Sequence, residues 1–137
     1  MDEIDGDIWT IPGEKMKGLK GKTPSFRVPL TPEALQVIEL AIQQQRDGYI
    51  FPGVKRGVIS DASMARLMER RGLEARPHGF RSTLRTWLTE SQQASREVAE
   101  IIIAHQTGSV VERSNNRTDM IDQRRVVIGD WSRHLIS

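Results

Sequence analysis

The hydrophobic pattern near the N-terminus is that of two short strands. Residues 7–12 (Asp-Ile-Trp-Thr-Ile-Pro) and 25–30 (Ser-Phe-Arg-Val-Pro-Leu) are rich in β-branched and aromatic side chains that partly alternate with polar ones. We expect them to pair as an antiparallel hairpin, joined by a Lys/Gly-rich loop that is long for such a connection. Pro29 cannot donate to a sheet ladder, so the second strand is predicted to lie at an edge.

After the second strand, apolar positions recur at the helical period. Thr31-Pro32-Glu33 combines a hydroxyl cap, a proline at the first helical position and a carboxylate at the positive end of the helix dipole. It predicts a helix that runs to about residue 46 and is ended by Asp47-Gly48. Ser60 or Asp61 is expected to cap a second helix. Pro77 disfavours the helical conformation for the residue before it, so a third helix should begin at about His78.

Two further helices complete the predicted pattern. Residues 98–103 are apolar nearly all round, which predicts a short, deeply buried helix stopped by Gly108. A last helix should begin at about Asp119. The positions predicted to face the core of all these helices are Ala34, Leu35, Ile38, Ala41, Ile42, Met64, Leu67, Met68, Leu73, Phe80, Leu84, Trp87, Leu88, Val98, Ala99, Ile101, Ile102, Ile103, Met120, Val127, Ile128, Trp131 and Leu135. The sequence therefore predicts a mainly α fold with a small antiparallel β-hairpin, forming a single domain over residues 1–137.

Composition excludes several classes of protein. Apolar runs are far shorter than the roughly 20 residues of a membrane span, and the N-terminus is acidic rather than leader-like, so we expect a cytoplasmic protein with no membrane partner. The absence of cysteine excludes disulfides and thiolate metal sites. Histidines stand only at positions 78, 105 and 134, without metal-ligand spacing, and no Gly-rich phosphate loop is present. We therefore expect no metal and no cofactor.

Charge is clustered although the net charge is only +2. Residues 1–14 hold five acids and no base, whereas residues 15–27 hold five bases and no acid. Another eight bases against three acids fall between residues 50 and 85. Such clusters are typical of a face that binds a polyanion, although ordinary solvated surface has the same pattern. Arg124 and Arg125 could pair with acids on the last helix or contact DNA.

His78 and Arg81 are spaced three apart at a helix start, and Arg85 follows one turn later. This spacing puts the three side chains on one face, opposite the apolar positions of the same helix. Arginine presents a planar fork of donors that matches phosphate, and histidine donates or carries a proton near neutral pH. The spacing alone indicates either a phosphate site or an ordinary polar surface.

Longer strings carry a resemblance to a known family. Pro77-His-Gly-Phe-Arg-Ser-Thr-Leu-Arg-Thr-Trp87, followed by Glu97-Val-Ala-Glu100 and Ala104-His105, resembles the second and third signature boxes of tyrosine recombinases, specifically phage and genomic-island integrases. The same group is matched in the same order by Trp9-Thr-Ile-Pro, Met16-Lys17, Arg27-Val-Pro-Leu, Tyr49-Ile-Phe-Pro-Gly, Val111-Glu-Arg, Arg117-Thr-Asp119, Arg124-Arg125 and Trp131. The resemblance implies a catalytic domain that lacks its N-terminal part, acting on double-stranded DNA together with other integrase protomers and on no small-molecule substrate.

The resemblance also implies residue roles. Family members cleave DNA without metal through a 3′-phosphotyrosine. By resemblance Arg81 clamps the scissile phosphate, His78 donates to it or assists proton transfer, and His105 adds a contact. Lys17 is similar to the family's general acid that protonates the leaving 5′-oxygen, with Lys15, Lys20 and Lys22 as rivals for that task. These three lysines and Arg85 are expected to bind DNA.

Two departures bear on activity. The family's first-box arginine would lie upstream of residue 1, and the position expected for the nucleophilic tyrosine is Asn115. Tyr49, the single tyrosine, falls in a turn where the family has a structural aromatic. We therefore expect a recombinase scaffold that does not itself cleave DNA. The alternatives are a degenerate integrase remnant that serves as a non-catalytic DNA-binding or regulatory module, and a small helical DNA-binding regulator unrelated to recombinases.

Overall fold

A small sheet and a set of helices make up the computed structural model, which describes residues 3–16, 23–54, 57–91, 94–104 and 119–137. The sheet contains β1 (Ile4–Asp5), β2 (Ile8–Ile11) and β3 (Phe26–Pro29). The helices within these residues are α1 (Pro32–Ile42), α2 (Ala62–Arg70), α3 (Pro77–Glu90), α4 (Arg96–Ile102) and α5 (Ile121–Ile136). The predicted fold class, mainly helical with a small antiparallel sheet, is confirmed.

The sheet is antiparallel in the order β1-β2-β3. The predicted hairpin forms between β2 and β3, with Trp9 opposite Val28 and Thr10 opposite Arg27. β3 is an edge strand, as Pro29 indicated. The two-residue strand β1 was not predicted, because it is too short to show an alternating pattern; it turns back onto β2 through Gly6, whose φ is +55°.

Gly13 closes the base of the hairpin loop. It begins a single 3₁₀ turn, Gly13–Lys15, directly after β2. A Cβ added at this glycine would lie 1.8 Å from the carbonyl oxygen of Thr23, on the other side of the loop base. The two ends of the connection therefore approach each other more closely than any residue with a side chain would allow.

Local capping explains where the helices begin. The Thr31 hydroxyl accepts a hydrogen bond from the Ala34 amide at 3.3 Å, and Ser95 accepts from Val98 at 3.3 Å in the same way. α3 begins at Pro77, one residue before the predicted start at about His78, with the preceding residue in an extended conformation. α1 ends at Ile42, earlier than the predicted residue 46. α2 follows Asp61, whose side chain makes no capping hydrogen bond.

The core lies where α3, α4 and α5 meet. Its buried residues are Leu88, Val98, Ile103 and Val127, and the partly buried apolar residues that pack against them are Leu84, Trp87, Ala94, Ala99, Ile102 and Met120. Trp87 and Trp131 join α3 to α5 with their ring centroids 5.2 Å apart, in a tilted arrangement, and the His134 ring lies within 6 Å of both. The predicted stripe on α1 is half-buried.

Five residues predicted to be buried are exposed. Met64, Leu67 and Leu73 are at least half exposed, as are Phe80 and Leu135. Helical periodicity identifies an apolar face, but it does not show whether another element covers that face. Phe80 lies one turn before Leu84, where the contact of α3 with the core begins, and the apolar face of α2 contributes only Met68 to the buried set.

A buried arginine joins the sheet to the last helix. Arg124 of α5 is 1% exposed, and its guanidinium donates to the backbone carbonyls of Arg27 in β3 and Asp119. It also lies over the Phe26 ring at 4.8 Å. Burial lowers the pKa of Arg124, an effect that the nearby carboxylate of Asp119 opposes.

Ion pairs surround that contact. The Arg27 guanidinium binds both carboxylate oxygens of Asp119 at 2.7 Å and holds the pKa of Asp119 below its usual range. Arg125 binds Asp7 at 2.9 and 3.1 Å and Asp122 of its own helix at 2.9 Å. Of the two interpretations of Arg124 and Arg125, the structure therefore supports pairing within the protein.

Replacing Leu88 by alanine should destabilise the fold far more than the same change at Leu67. Leu88 is 3% exposed in the core, so Leu88→Ala removes buried methyl groups and leaves a cavity, at a cost of about 2–5 kcal/mol. Leu67 is 50% exposed, so Leu67→Ala should cost less than about 1 kcal/mol. Urea unfolding followed by circular dichroism measures the free energy of unfolding of both variants. Equal losses of this free energy would contradict a core centred on α3, α4 and α5.

The Arg27–Asp119 pair should make stability fall in acid. Because the pKa of Asp119 is lower in the folded protein than in the unfolded chain, its contribution is complete above about pH 4, the usual aspartate pKa. This stabilising contribution is lost as the pH falls through the lower pKa that Asp119 has in the folded protein. In urea titrations at pH 7 and pH 3, Asp119→Asn should lose less stability on acidification than the parent protein. Asp47→Asn, in an exposed turn, is the control; identical acid losses in the parent and Asp119→Asn would contradict the assignment.

Candidate phosphate-binding site

The N-terminal half of α3 presents His78 and Arg81 to solvent. The segment before the helix is fixed by Arg76, whose guanidinium donates to the carbonyls of Leu73, Glu74 and Ala75 at 3.0–3.1 Å. Pro77 then begins the helix, so His78 falls in its first turn. The role of Arg76 was not predicted from the sequence, because a contact to backbone carbonyls leaves no residue-type pattern.

One polar face of α3 runs from His78 through Arg81 and Arg85 to Thr89. At 100° and 1.5 Å per residue, these four positions lie within an arc of about 80° and extend over roughly 16 Å. Leu88, Leu84 and Trp87 occupy the side of the helix that packs into the core. Burial of that side therefore fixes the polar face, which we call the α3 polar strip, toward solvent.

His78 and Arg81 make no hydrogen bond or ion pair within the described part of the chain. Their donors are thus available to an anion from outside. Arg85 is engaged differently, because its guanidinium lies 3.7 Å from the carboxylate of Glu100 on α4. The Arg85 side chain is 59% exposed, so this ion pair is weak.

Two members of the predicted N-terminal basic cluster have partners inside the protein. Lys15, in the 3₁₀ turn after β2, forms an ion pair with Glu3, and Trp9 donates to the same carboxylate at 3.1 Å. The hydrogen bonds from Lys15 and Trp9 lower the pKa of Glu3. Arg27 is held by Asp119 in the pair that borders the buried arginine. Sequence spacing could not show either pair, since Arg27 and Asp119 are separated by 92 residues.

Five predicted site residues lie outside the described residues. They are Lys17, Lys20 and Lys22 in the hairpin connection, and His105 and Asn115 after α4. Their roles stay predictions. Tyr49 is described: its backbone pairs with Arg46 in a tight turn that contains Asp47 at φ +53° and Gly48 at φ +79°.

Across the described ranges, no group of three or more His, Cys, Asp or Glu side chains is arranged to hold a metal ion. Within the same residues, no helix combines the length and apolar character required to cross a membrane.

Comparison with known proteins shows the family. The family model described as "Phage integrase family" matches residues 1–119. Prophage integrase IntA of Escherichia coli strain K12 is 32% identical over 139 residues, which cover 96% of this chain and 32% of IntA. Prophage integrase IntZ of the same strain is 30% identical over 129 residues, which cover 90% of this chain and 30% of IntZ.

The chain thus spans about a third of the length of these curated relatives. No solved structure matches it significantly. The family match extends over most of the chain, and it includes the whole α3 polar strip. With its helical fold and small antiparallel sheet, the chain belongs to the phage integrase family, the tyrosine recombinases.

Proposed function

We propose that the chain forms one domain, the C-terminal portion of an integrase catalytic domain, and that it binds double-stranded DNA through a backbone phosphate held by His78 and Arg81. The observation that carries this proposal is the solvent-facing pair at the start of α3, which makes no hydrogen bond or ion pair within the described residues and lies in the stretch that the family model matches. In the complete family enzyme, the reaction would be site-specific recombination by strand cleavage and rejoining.

The chemistry of that reaction explains why these side chains are needed. A tyrosine hydroxyl attacks phosphorus, the bond from phosphorus to the 5′-oxygen breaks, and the 5′-oxygen takes up a proton. Negative charge is then concentrated on the non-bridging oxygens, where fixed cationic donors stabilise the transition state. Arg81 offers two parallel N–H donors, and His78 offers a donor or an exchangeable proton.

His105 and Lys17 would complete the site. By resemblance, His105 supplies a further donor to the phosphate, and Lys17 protonates the leaving 5′-oxygen as a general acid. Lys15 is a weaker candidate for this task than the other lysines near the loop, because Glu3 already binds its ammonium group. The phosphotyrosine bond stores the energy of the cleaved linkage, so rejoining requires no nucleotide.

Asn115 is the reason to propose that this chain does not cleave DNA by itself. An amide cannot form the phosphotyrosine, and the single tyrosine, Tyr49, has its backbone paired within a turn. Asn115 also favours the second candidate function, a degenerate integrase remnant that binds DNA without cleaving it. In either case the proposed partners are duplex DNA and other integrase protomers, in the cytoplasm.

Arg81→Lys should weaken DNA binding although it preserves the charge. A lysine cannot reproduce the planar fork, so we expect about a tenfold loss of affinity for duplex DNA, equivalent to about 1.4 kcal/mol. Electrophoretic or anisotropy titration measures this loss. Arg133→Ala on α5 is the control, because it removes one charge outside the α3 polar strip. If Arg81→Lys binds DNA as tightly as the parent, the contact is only a general charge effect and the phosphate clamp is wrong.

Asn115→Tyr should restore strand cleavage when the chain is joined to the preceding catalytic-domain segment of a prophage integrase. The expected product is a covalent protein–DNA adduct on a nicked suicide substrate, detected as a band that resists denaturant. Asn115→Phe should form none, because it lacks the hydroxyl. If the folded Asn115→Tyr protein binds DNA but forms no adduct, the recombinase scaffold is incomplete and the remnant function is supported.

A further inference from the structure

A cavity of about 260 Å³ lies between α3 and α4, where the α3 polar strip ends. Its floor is apolar and its rim is charged. The floor residues are Leu88, Ala99 and Ile103, the charged rim residues are Arg85, Arg96 and Glu100, and Thr89 completes the lining. This volume is below the roughly 300–1,000 Å³ of clefts that hold typical small-molecule ligands.

We propose that this cavity is a second phosphate site, which binds one backbone unit of DNA through Arg85 and Arg96 and thereby positions the strand that leaves the first site. The inference rests on the proposed function, because it extends the DNA path beyond His78 and Arg81. Contacts to phosphates fix the register and orientation of a protein on DNA without reading its sequence.

The charges of the rim favour an anion. Arg96 is exposed and makes no ion pair or hydrogen bond within the described residues. Among the residues that the structure describes, the Arg85 side chain has only the 3.7 Å contact with Glu100, which a phosphate oxygen could replace at a shorter, charge-assisted distance. Two guanidiniums and one carboxylate leave the rim with an excess of one positive charge.

The apolar floor distinguishes a DNA backbone unit from a free phosphate ion. A phosphate ion would use only the charged rim, whereas a nucleotide unit also presents the C–H surface of a deoxyribose. Burial of that surface against Leu88, Ala99 and Ile103 would add a favourable term that inorganic phosphate lacks. We therefore expect the cavity to prefer the backbone of DNA.

Position along the helix connects the two sites. Arg85 follows Arg81 by four residues, about 6 Å along α3 and on the same face. A strand that follows the α3 polar strip from Arg81 would thus reach Arg85 next, and Arg96 across the cavity. Arg85 and Arg96 are accordingly positioning residues, and neither needs to contact the reacting atoms.

Glu100 has a defined part in this arrangement. Its side chain is only 14% exposed and its carboxylate lies 3.7 Å from the Arg85 guanidinium, so its negative charge would compete with an entering phosphate for Arg85. Removing its charge without changing its shape should therefore strengthen DNA binding. A purely structural role for the Arg85–Glu100 pair predicts no such gain.

The test is a set of duplex-DNA titrations over a range of salt concentrations. Arg96→Ala should weaken binding about fivefold to tenfold and reduce the slope of log affinity against log salt by about 0.9, the value for one lost phosphate contact. Glu100→Gln should raise the affinity several-fold. Arg133→Ala is the charge-matched control, and thermal melting checks that each variant is folded.

The outcomes separate this inference from the proposed function. If Arg81→Lys loses affinity but Arg96→Ala behaves like Arg133→Ala, the cavity is not a phosphate site and the proposed function stands. If Arg96→Ala and Glu100→Gln act as expected but Arg81→Lys does not, the cavity stands and the phosphate clamp fails. A Glu100→Gln variant that binds DNA no better than the parent also overturns the inference.

Inorganic phosphate is the probe for the alternative ligand. At constant ionic strength, millimolar phosphate should displace DNA equally well from the parent protein and from Arg96→Ala, because the cavity adds little affinity for the free ion. Displacement that depends on Arg96 would show that the cavity takes free phosphate, and would overturn its assignment to the DNA backbone.

Discussion

The buried guanidinium of Arg124 is the interaction on which the arrangement of sheet and helices depends. A buried charge is costly unless it is compensated by hydrogen bonds. Nη1 and Nη2 of Arg124 donate to the carbonyls of Asp119 and Arg27, and the cation lies over Phe26, whereas Nε has no hydrogen-bond partner among the described residues. This contact fixes the start of α5 against β3. Further along α5, Val127 enters the core and Trp131 packs on α3. The last helix therefore connects the sheet to the helices that carry the candidate site.

The orientation of the α3 polar strip follows from that packing. Leu88 is buried against residues of α4 and α5, which fixes the rotation of α3 and leaves the polar strip along the solvent-facing edge of the buried side. The backbone positions of His78 and Arg81 are thus fixed by apolar contacts of the same helix, while the two side chains make no hydrogen bond or ion pair within the described residues. Such an arrangement leaves His78 and Arg81 hydrated in the free protein, at the cost of water that must be removed when a phosphate binds.

Local sequence signals predicted much of the fold, but they could not predict long-range contacts. Thr31 and Pro77 determine helix starts through their immediate neighbours, and both starts were predicted to within one residue. The exposure of Leu67 and Phe80 was not predicted, because burial depends on which element packs against a helix face. The candidate site was predicted from a motif, so His78, Arg81 and Arg85 fall on one face of α3, whereas Lys15 lies apart in the turn after β2. The pairing of Arg27 with Asp119 and the cavity beside Arg96 depend on tertiary contacts that no local pattern encodes.

The closure at Gly13 has a consequence for how the family can vary. The two sides of the loop base meet at Gly13 and Thr23. The register of β2 and β3 is therefore fixed at this contact and does not depend on the length of the connection. Insertion of residues there would cost little, since doubling a loop adds only about 0.6 kcal/mol of closure entropy. Evolution could therefore change the number and spacing of lysines in this connection while the strands keep their register, provided that position 13 remains glycine.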